Sequence, residues 1–132
     1  MPLLKMKSSK ATPTKGISYI IDPNKAELVT SLNMSDNQNY SDQFKQTQQL
    51  HNKGGKYNER KYYHVKISAD PSDSITPQLS HQLAEKVASQ LFPSHECVIA
   101  THTDTDVVHS HIIVNAVNFD TGKKLHISDK AY

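Results

Sequence analysis

Two strand-like segments in the last third of the chain are separated by only four residues, and this spacing restricts the fold more than any other feature. Residues 96–102 (ECVIATH) and 107–118 (VVHSHIIVNAVN) are rich in β-branched side chains. The connection between them is too short for a crossover between parallel strands. We therefore expect the two segments to pair as an antiparallel hairpin.

Side chains alternate between the two faces of a strand, so the second segment has two different surfaces. Ile112 and Val114 lie on the face that we expect to pack on the core. His109, His111 and Asn115 share the opposite face, which we expect to be open.

Three further strands and three helices are expected elsewhere. The strands are predicted at residues 28–32, 62–68 and 125–127, the last after a turn at 119–123. The helices are predicted at residues 16–21, 41–52 and 77–91, with Ser41 and Thr76 as N-caps of the second and third. The third has apolar residues at every fourth position, namely Leu79, Leu83, Val87 and Leu91. This order predicts an α+β fold, with a central antiparallel five-stranded sheet covered on one face by helices, as in ferredoxin-like domains.

Composition adds limits on domain number and compartment. A chain of 132 residues is the usual size of one domain, and a formal net charge of +2 is too mild to establish nucleic-acid binding. Cys97 is the only cysteine, which excludes an internal disulfide and favours a reducing compartment. The sequence has neither a span-length apolar segment nor a secretory signal, so we expect a cytoplasmic protein without membrane insertion.

Positive charge is concentrated in two stretches. Four lysines precede the first acidic residue, and we expect residues 1–15 to form a basic flexible arm ahead of a folded domain at 16–132. A second basic cluster lies between residues 53 and 61, next to several tyrosines. Both stretches can bind phosphates, and both are equally compatible with solvated lysines.

The chemistry is concentrated in three histidines. His109 and His111 share one strand face, and His102, at the end of the partner strand, can meet them across the hairpin. A single histidine here would be read as a surface residue, but three imidazoles from two strands can hold one divalent ion with open positions. Asp104 is expected to accept a hydrogen from a ring nitrogen of one of these histidines, with Asp106 as the less favoured substitute.

These residues carry a resemblance to a known family. Residues 101–124 (THTDTDVVHSHIIVNAVNFDTGKK) resemble the third motif of relaxases of the mobilisation-nuclease type, endonucleases named for a His-hydrophobic-His signature. Ser110 stands where that name has a hydrophobic residue. Residues 63–68 (YHVKIS) resemble the second motif, and residues 15–23 (KGISYIIDP) resemble the first, which contains the nucleophilic tyrosine.

The resemblance implies a relaxase palm that nicks single-stranded origin-of-transfer DNA during plasmid or integrative-element mobilisation in bacteria. One divalent metal ion, Mg²⁺ or Mn²⁺, would be held by His102, His109 and His111. Tyr19 would be the nucleophile and form a 5′-phosphotyrosine, with Asp104 as a catalytic residue. Four other tyrosines compete with Tyr19 for this role, namely Tyr40, Tyr57, Tyr62 and Tyr63.

Candidate DNA contacts complete the interpretation. They are Lys15, Lys56, Arg60, His64, Ser68 and Asn115. Relatives commonly have phenylalanine after the serine that corresponds to Ser68, where this chain has Ala69. His64 is equally compatible with a solvent-facing strand position, and Asn115 with a hydrogen bond near the metal.

The resemblance also implies partners and alternatives. Accessory relaxosome proteins and a coupling protein are expected, and we expect a C-terminal truncation because relatives continue into a helical part that clamps DNA. Two alternatives stay open: a rolling-circle replication initiator or transposase of the same endonuclease group, and a non-catalytic DNA-binding fragment with a structural metal.

Overall fold

The computed structural model describes residues 3–70 and 74–125, which contain five strands and three helices. In chain order they are β1 (Leu3–Ser9), α1 (Pro13–Ile20), β2 (Ala26–Leu32), α2 (Tyr40–Leu50), β3 (Tyr62–Ser68), α3 (Pro77–Leu91), β4 (Cys97–His102) and β5 (His109–Asn115). None of the described helices has the length and apolar character needed to cross a membrane.

The five strands form one antiparallel sheet in the order β1-β3-β5-β4-β2. The predicted α+β class, the antiparallel five-stranded sheet and the β4–β5 hairpin are confirmed. Strand β5 is central, and its pairing with β4 puts His102 directly opposite His109. The hairpin thus brings together residues that are seven positions apart in the chain.

Helices cover both faces of the sheet, so the expectation of one covered face is wrong. Helix α3 packs on the face that carries Ile99 and Ile112. Helices α1 and α2 pack on the opposite face, over Val98, Ala100 and Ile113. Strands β4 and β5 carry apolar side chains on both faces, and helices on both sides remove these surfaces from water. The histidines of β5 therefore occupy only the end of a face that α1 and α2 otherwise cover.

The first residues differ from the expected loose arm. Every residue of β1 pairs with β3, from Leu3 opposite Ser68 to Ser9 opposite Tyr62. Without β1, strand β3 would be a sheet edge with unpaired backbone groups. The fifth predicted strand, at residues 125–127, lies mostly outside the described residues, and an isolated bridge between Val117 and Lys124 precedes it.

Helix α3 begins as predicted, but it is rotated relative to its leucine stripe. The Thr76 hydroxyl caps the helix by accepting from the backbone N–H of Leu79 at 3.1 Å. Leu79 and Leu91 are more than half exposed, whereas Ser80, His81, Ala84 and Ala88 are buried. Hydrogen bonds to the sheet explain this rotation. The Ser80 hydroxyl bonds the Ser110 hydroxyl, and the His81 ring bonds the Thr101 hydroxyl.

The N-cap of helix α2 lies two residues earlier than expected. Asn39 is its N-cap, and its side chain accepts from the backbone N–H of Asp42 at 3.0 Å. The predicted cap, Ser41, is buried inside the helix and shares a hydrogen bond of 2.6 Å with the Thr14 hydroxyl. This contact joins α2 to α1, the helix that carries Tyr19.

Candidate metal centre and nucleophile

Three histidines converge where β4 ends and β5 begins. His102 and His109 are cross-strand partners, and His111 lies two residues further along β5 on the same face. One ring nitrogen from each lies within 4.8 Å of one from each of the others, and all three residues are buried. The predicted convergence is confirmed, and the cluster can hold a metal ion.

Hydrogen bonds assign the proton on two of the three rings. Nε2 of His102 lies 2.8 Å from the carbonyl oxygen of Ile20, and Nδ1 of His109 lies 3.0 Å from that of Val107. A carbonyl oxygen only accepts, so these nitrogens carry the hydrogens. The lone pairs therefore reside on Nδ1 of His102 and Nε2 of His109, which are free to bind a cation.

His64 is the ring partner of His111. Its Nε2 lies 2.6 Å from Nδ1 of His111. Burial, followed by the nearby positive charge of Lys66, lowers the pKa of His64 to about 4. Burial likewise lowers the pKa of His111 to about 2. Both rings are thus neutral near pH 7, and one nitrogen of the pair donates to the other.

Two nitrogens are left without partners. Within the described part of the chain, Nδ1 of His102 and Nε2 of His111 are buried and make no hydrogen bond. A buried polar atom without a partner costs free energy, about 1–3 kcal/mol each. Burial also lowers the pKa of His102, against the opposing effect of its bond to Ile20. Neutral imidazoles with buried, unshared lone pairs are what a divalent cation requires.

Helix α1 places Tyr19 over this cluster. Ile17 and Ile20 are buried against the sheet, while Tyr19 is 49% exposed. The Tyr19 ring centroid lies 5.9 Å from that of His102 and 5.9 Å from that of His111, edge-on to both. None of the other described tyrosines has a ring contact with these histidines, so the geometry separates Tyr19 from its predicted competitors.

Asp104 does not orient a metal-binding ring as expected. The ring hydrogens of His102 and His109 go to backbone carbonyls, and Nδ1 of His111 faces His64. The Asp104 carboxylate instead lies 3.8 Å from the ammonium of Lys25. Asp106 is exposed.

Lys25 was missed by sequence reasoning. Its ammonium lies 5.4 Å from the centre of the Tyr19 ring, in addition to its pairing with Asp104. It directly precedes β2, and its carbonyl accepts from the backbone N–H of Thr103. No local pattern marks this position, because the contact arises from the pairing of β2 with β4.

Asn115 cannot contact DNA, which corrects its assignment. Its side chain is completely buried, and its amide nitrogen donates to the Phe44 carbonyl and to the Glu96 carboxylate. Its amide oxygen accepts from Gln48 and from the backbone of Val117. Helix α2 covers this end of the β5 face, so Asn115 holds α2 on the sheet.

The other predicted DNA contacts divide into two groups. Ser68 is half-buried and is the cross-strand partner of His109, which places it beside the cluster. Lys15 is exposed on α1. Lys56 and Arg60 instead line a separate depression, together with Lys10 and Lys124. The structure does not bring Lys56 and Arg60 to the histidines.

Two further lysines were misread as part of an arm. Lys5 and Lys7 lie on β1, and together with Lys66 they line a groove that also includes Tyr19 and His111. The alternation of Leu4, Lys5, Met6 and Lys7 was the signal that predicts a strand with lysines on one face.

The sheet, the histidine cluster and the adjacent tyrosine define a nuclease domain that can bind metal. The chain belongs to the relaxase family described as MobA/VirD2-like, nuclease domain, whose model matches residues 19–132. Tyr19 is the first residue of that match.

Similar curated proteins carry relaxase names. The chain is 32% identical over 131 residues to a protein rlx of Staphylococcus aureus, covering 99% of the chain and 37% of that protein. It is 36% identical over 63 residues to the group II intron-interrupted relaxase LtrB of Lactococcus lactis, covering 47% of the chain and 11% of that protein. The chain thus spans less than two-fifths of the length of these relatives.

Proposed function

We propose that this chain is the strand-nicking domain of a DNA relaxase that cuts single-stranded origin-of-transfer DNA by tyrosine transesterification. The observation that carries the proposal is the placement of the Tyr19 ring 5.9 Å from two histidines whose inner nitrogens have no partner in the described structure. Family membership supports the nuclease class. We propose that the cut is specific for one site and one strand of that DNA.

His102, His109 and His111 would hold one divalent ion, Mg²⁺ or Mn²⁺. The two orphaned nitrogens, on His102 and His111, and the lowered pKa values of these two rings fit such an ion. When bound, the ion supplies Lewis-acid chemistry, drawing charge from a non-bridging oxygen of the scissile phosphate.

Tyr19 performs the covalent step. Its phenolic oxygen attacks phosphorus as its proton is lost, and the bond from phosphorus to the 3′ oxygen breaks. The leaving oxygen takes up a proton and becomes a free 3′-hydroxyl, while the 5′ phosphate stays on Tyr19. One phosphodiester is exchanged for another, so rejoining needs no external energy source.

Lys25 and Asp104 support the attack. The Lys25 ammonium lies close to the Tyr19 ring and favours the negative charge that develops on the phenol oxygen and the phosphate. Asp104 acts by holding Lys25 at this position through their ion pair. Ser68, the cross-strand partner of His109, would contact the DNA backbone.

The cellular setting follows from the same proposal. The domain would act in the bacterial cytoplasm, in the mobilisation of a plasmid or integrative element. Its partners would be accessory relaxosome proteins and a coupling protein.

A covalent adduct tests the proposed function. The chain is incubated with Mn²⁺ and single-stranded origin DNA, and the peptide that carries the 5′ phosphate is identified by mass spectrometry. We expect the adduct on Tyr19 and its loss in Tyr19→Phe. Tyr57→Phe is the matched control, because Tyr57 is 96% exposed and far along the chain in a loop.

Two outcomes would contradict the proposal. An adduct on another tyrosine would remove Tyr19 as the nucleophile. The absence of any adduct on the chain, under conditions in which it binds both Mn²⁺ and the DNA, would favour the non-catalytic DNA-binding alternative.

A further inference from the structure

We propose that Lys66, Lys5 and Lys7 form a phosphate track that carries the single-stranded DNA backbone away from the nick site, across β3 to β1. The inference rests on the proposed function and extends it from the reacting phosphate to its neighbours. It replaces the basic loop around Lys56 and Arg60 as the principal DNA contact.

The strand register places the track. Lys66 is the cross-strand partner of His111 on one side and of Lys5 on the other, so the three residues form one row across three strands. Lys7 is paired with His64 in the next row. Strands are spaced by about 5 Å, so the row leads from the histidine cluster to a point about 10 Å away at the sheet edge.

Face alternation points these lysines to the reacting side. Lys66 shares its face with His64, and Lys5 and Lys7 share theirs with Ser9, the cross-strand partner of Tyr62. Helices α1 and α2 cover this face elsewhere, but their core contacts end at Tyr62 and Ile113. The side chains of Lys5, Lys7 and Lys66 are exposed.

A groove of about 430 Å³ joins the lysines to the nucleophile. Ten residues line it, none of them acidic, and Tyr19, His64 and His111 are among them. A strand of DNA that enters this groove therefore meets ammonium groups, a phenol and a candidate metal ligand in one continuous surface. Exposed backbone phosphates with accessible bases fit such a surface better than a closed duplex does.

Two of the four cationic side chains that line the competing basic depression already have partners of their own. Around Lys56 and Arg60, the ammonium of Lys124 pairs with Glu59 at 2.8 Å, and that of Lys10 donates to Asn58 at 2.8 Å. Among the described residues, no carboxylate lies within ion-pair distance of Lys5, Lys7 or Lys66. All three groove lysines are therefore available to phosphates, and unlike Lys56 and Arg60 they share a groove with Tyr19 and His111.

Salt dependence of DNA binding tests the track. The binding of a fluorescent single-stranded oligonucleotide is measured by anisotropy over a series of salt concentrations, in the Tyr19→Phe background so that no cleavage occurs. Each lost phosphate contact on a single strand reduces the slope of log K against log salt by about 0.7. We expect this reduction for Lys5→Gln, Lys7→Gln and Lys66→Gln, and a reduction of about 2 for the triple variant.

Matched controls separate a local track from general charge. Lys86→Gln makes the same charge change on α3, on the opposite face of the sheet, and should leave the slope unchanged. An unchanged slope in the triple variant, or an equal reduction in Lys86→Gln, would overturn the track. If these lysines instead bind an acidic protein partner, the slope for DNA binding should be unchanged in the triple variant.

The outcome is independent of the nicking chemistry. Loss of slope in the lysine variants would support the track even if no Tyr19 adduct formed. Adduct formation with unchanged slopes would leave the proposed function intact and remove the track. Thermal unfolding and Mn²⁺ binding of the triple variant, compared with the parent chain, show whether the sheet and the histidine cluster are unaltered.

Discussion

The carbonyl oxygen of Ile20 accepts a hydrogen bond of 2.8 Å from Nε2 of His102. This contact ties the last turn of α1 to the end of β4. It determines which nitrogen of His102 is left for a metal, and it positions Tyr19, which directly precedes Ile20. The proposed nucleophile and the candidate metal centre are therefore positioned by one contact.

The placement of α1 depends on Gly16. A Cβ atom at this position would lie 2.8 Å from the hydroxyl oxygen of Tyr62. Alanine normally favours a helix over glycine by about 1 kcal/mol, but crowding of this kind costs about 1–3 kcal/mol. We expect Gly16→Ala to shift α1 and to slow formation of the Tyr19 adduct. Ser18→Cys is the control, because Ser18 is exposed on the same helix, and an unchanged rate in Gly16→Ala would contradict the prediction.

His64 is expected to set the tautomer of His111. Binding of a metal through Nε2 of His111 requires its Nδ1 to carry the hydrogen and donate to His64. Loss of such a partner typically lowers metal affinity by about 10–100-fold. Calorimetry with Mn²⁺ should show this loss in His64→Leu and a smaller loss in His64→Gln, whose amide oxygen can accept. Equal affinity in His64→Leu and the parent would remove His64 from this role.

Metal binding should stabilise the fold. A ligand that binds only the folded state at 100 times its dissociation constant adds about 2.7 kcal/mol to the free energy of unfolding. We expect Mn²⁺ to raise the melting temperature of the parent chain and a chelator to reverse the rise. His109→Ala should show no rise, because it removes one of three ligands. A similar rise in both proteins would exclude His109 as a ligand.

Asn115 should affect stability rather than DNA affinity. Asn115→Ala leaves partners of its amide unpaired, among them the buried Gln48 side chain, and each buried unpaired group costs about 1–3 kcal/mol. We expect a lower unfolding midpoint in denaturant and unchanged DNA affinity at low temperature. Asn58→Ala, on the exposed loop, is the control. Weaker DNA binding without loss of stability would restore Asn115 as a DNA contact.

Glu96 should make stability depend on pH. Burial raises the pKa of its carboxyl above the usual value, against hydrogen bonds from Thr47 and Asn115. The protonated form is thus favoured in the folded state, and its contribution to stability is present at low pH and lost as pH rises through the folded pKa. Glu96→Gln should remove this loss, because the amide oxygen can still accept from Asn115. The difference in unfolding free energy between the two proteins should increase from pH 4 to pH 7, and a constant difference would contradict the prediction.

The sequence by itself determined the features that depend on neighbouring residues. The short connection before β5 required an antiparallel hairpin, and the two-residue period placed His109 and His111 on one face. The Thr76 cap and the β3 segment were likewise local, because a cap or an alternating strand involves residues within a few positions of each other. The prediction of Tyr19 as the nucleophile also came from a local segment, the first-motif resemblance at residues 15–23.

Only the tertiary structure decided how these parts meet. The two covered faces, the burial of Asn115 beneath α2 and the incorporation of Lys5 and Lys7 into β1 all depend on distant partners. So do the hydrogen bond from His102 to Ile20 and the contact between His64 and His111. Buried backbone groups and ring nitrogens form hydrogen bonds with the groups that the fold packs beside them. Here those groups come from other elements, far away in the sequence, so local patterns do not predict them.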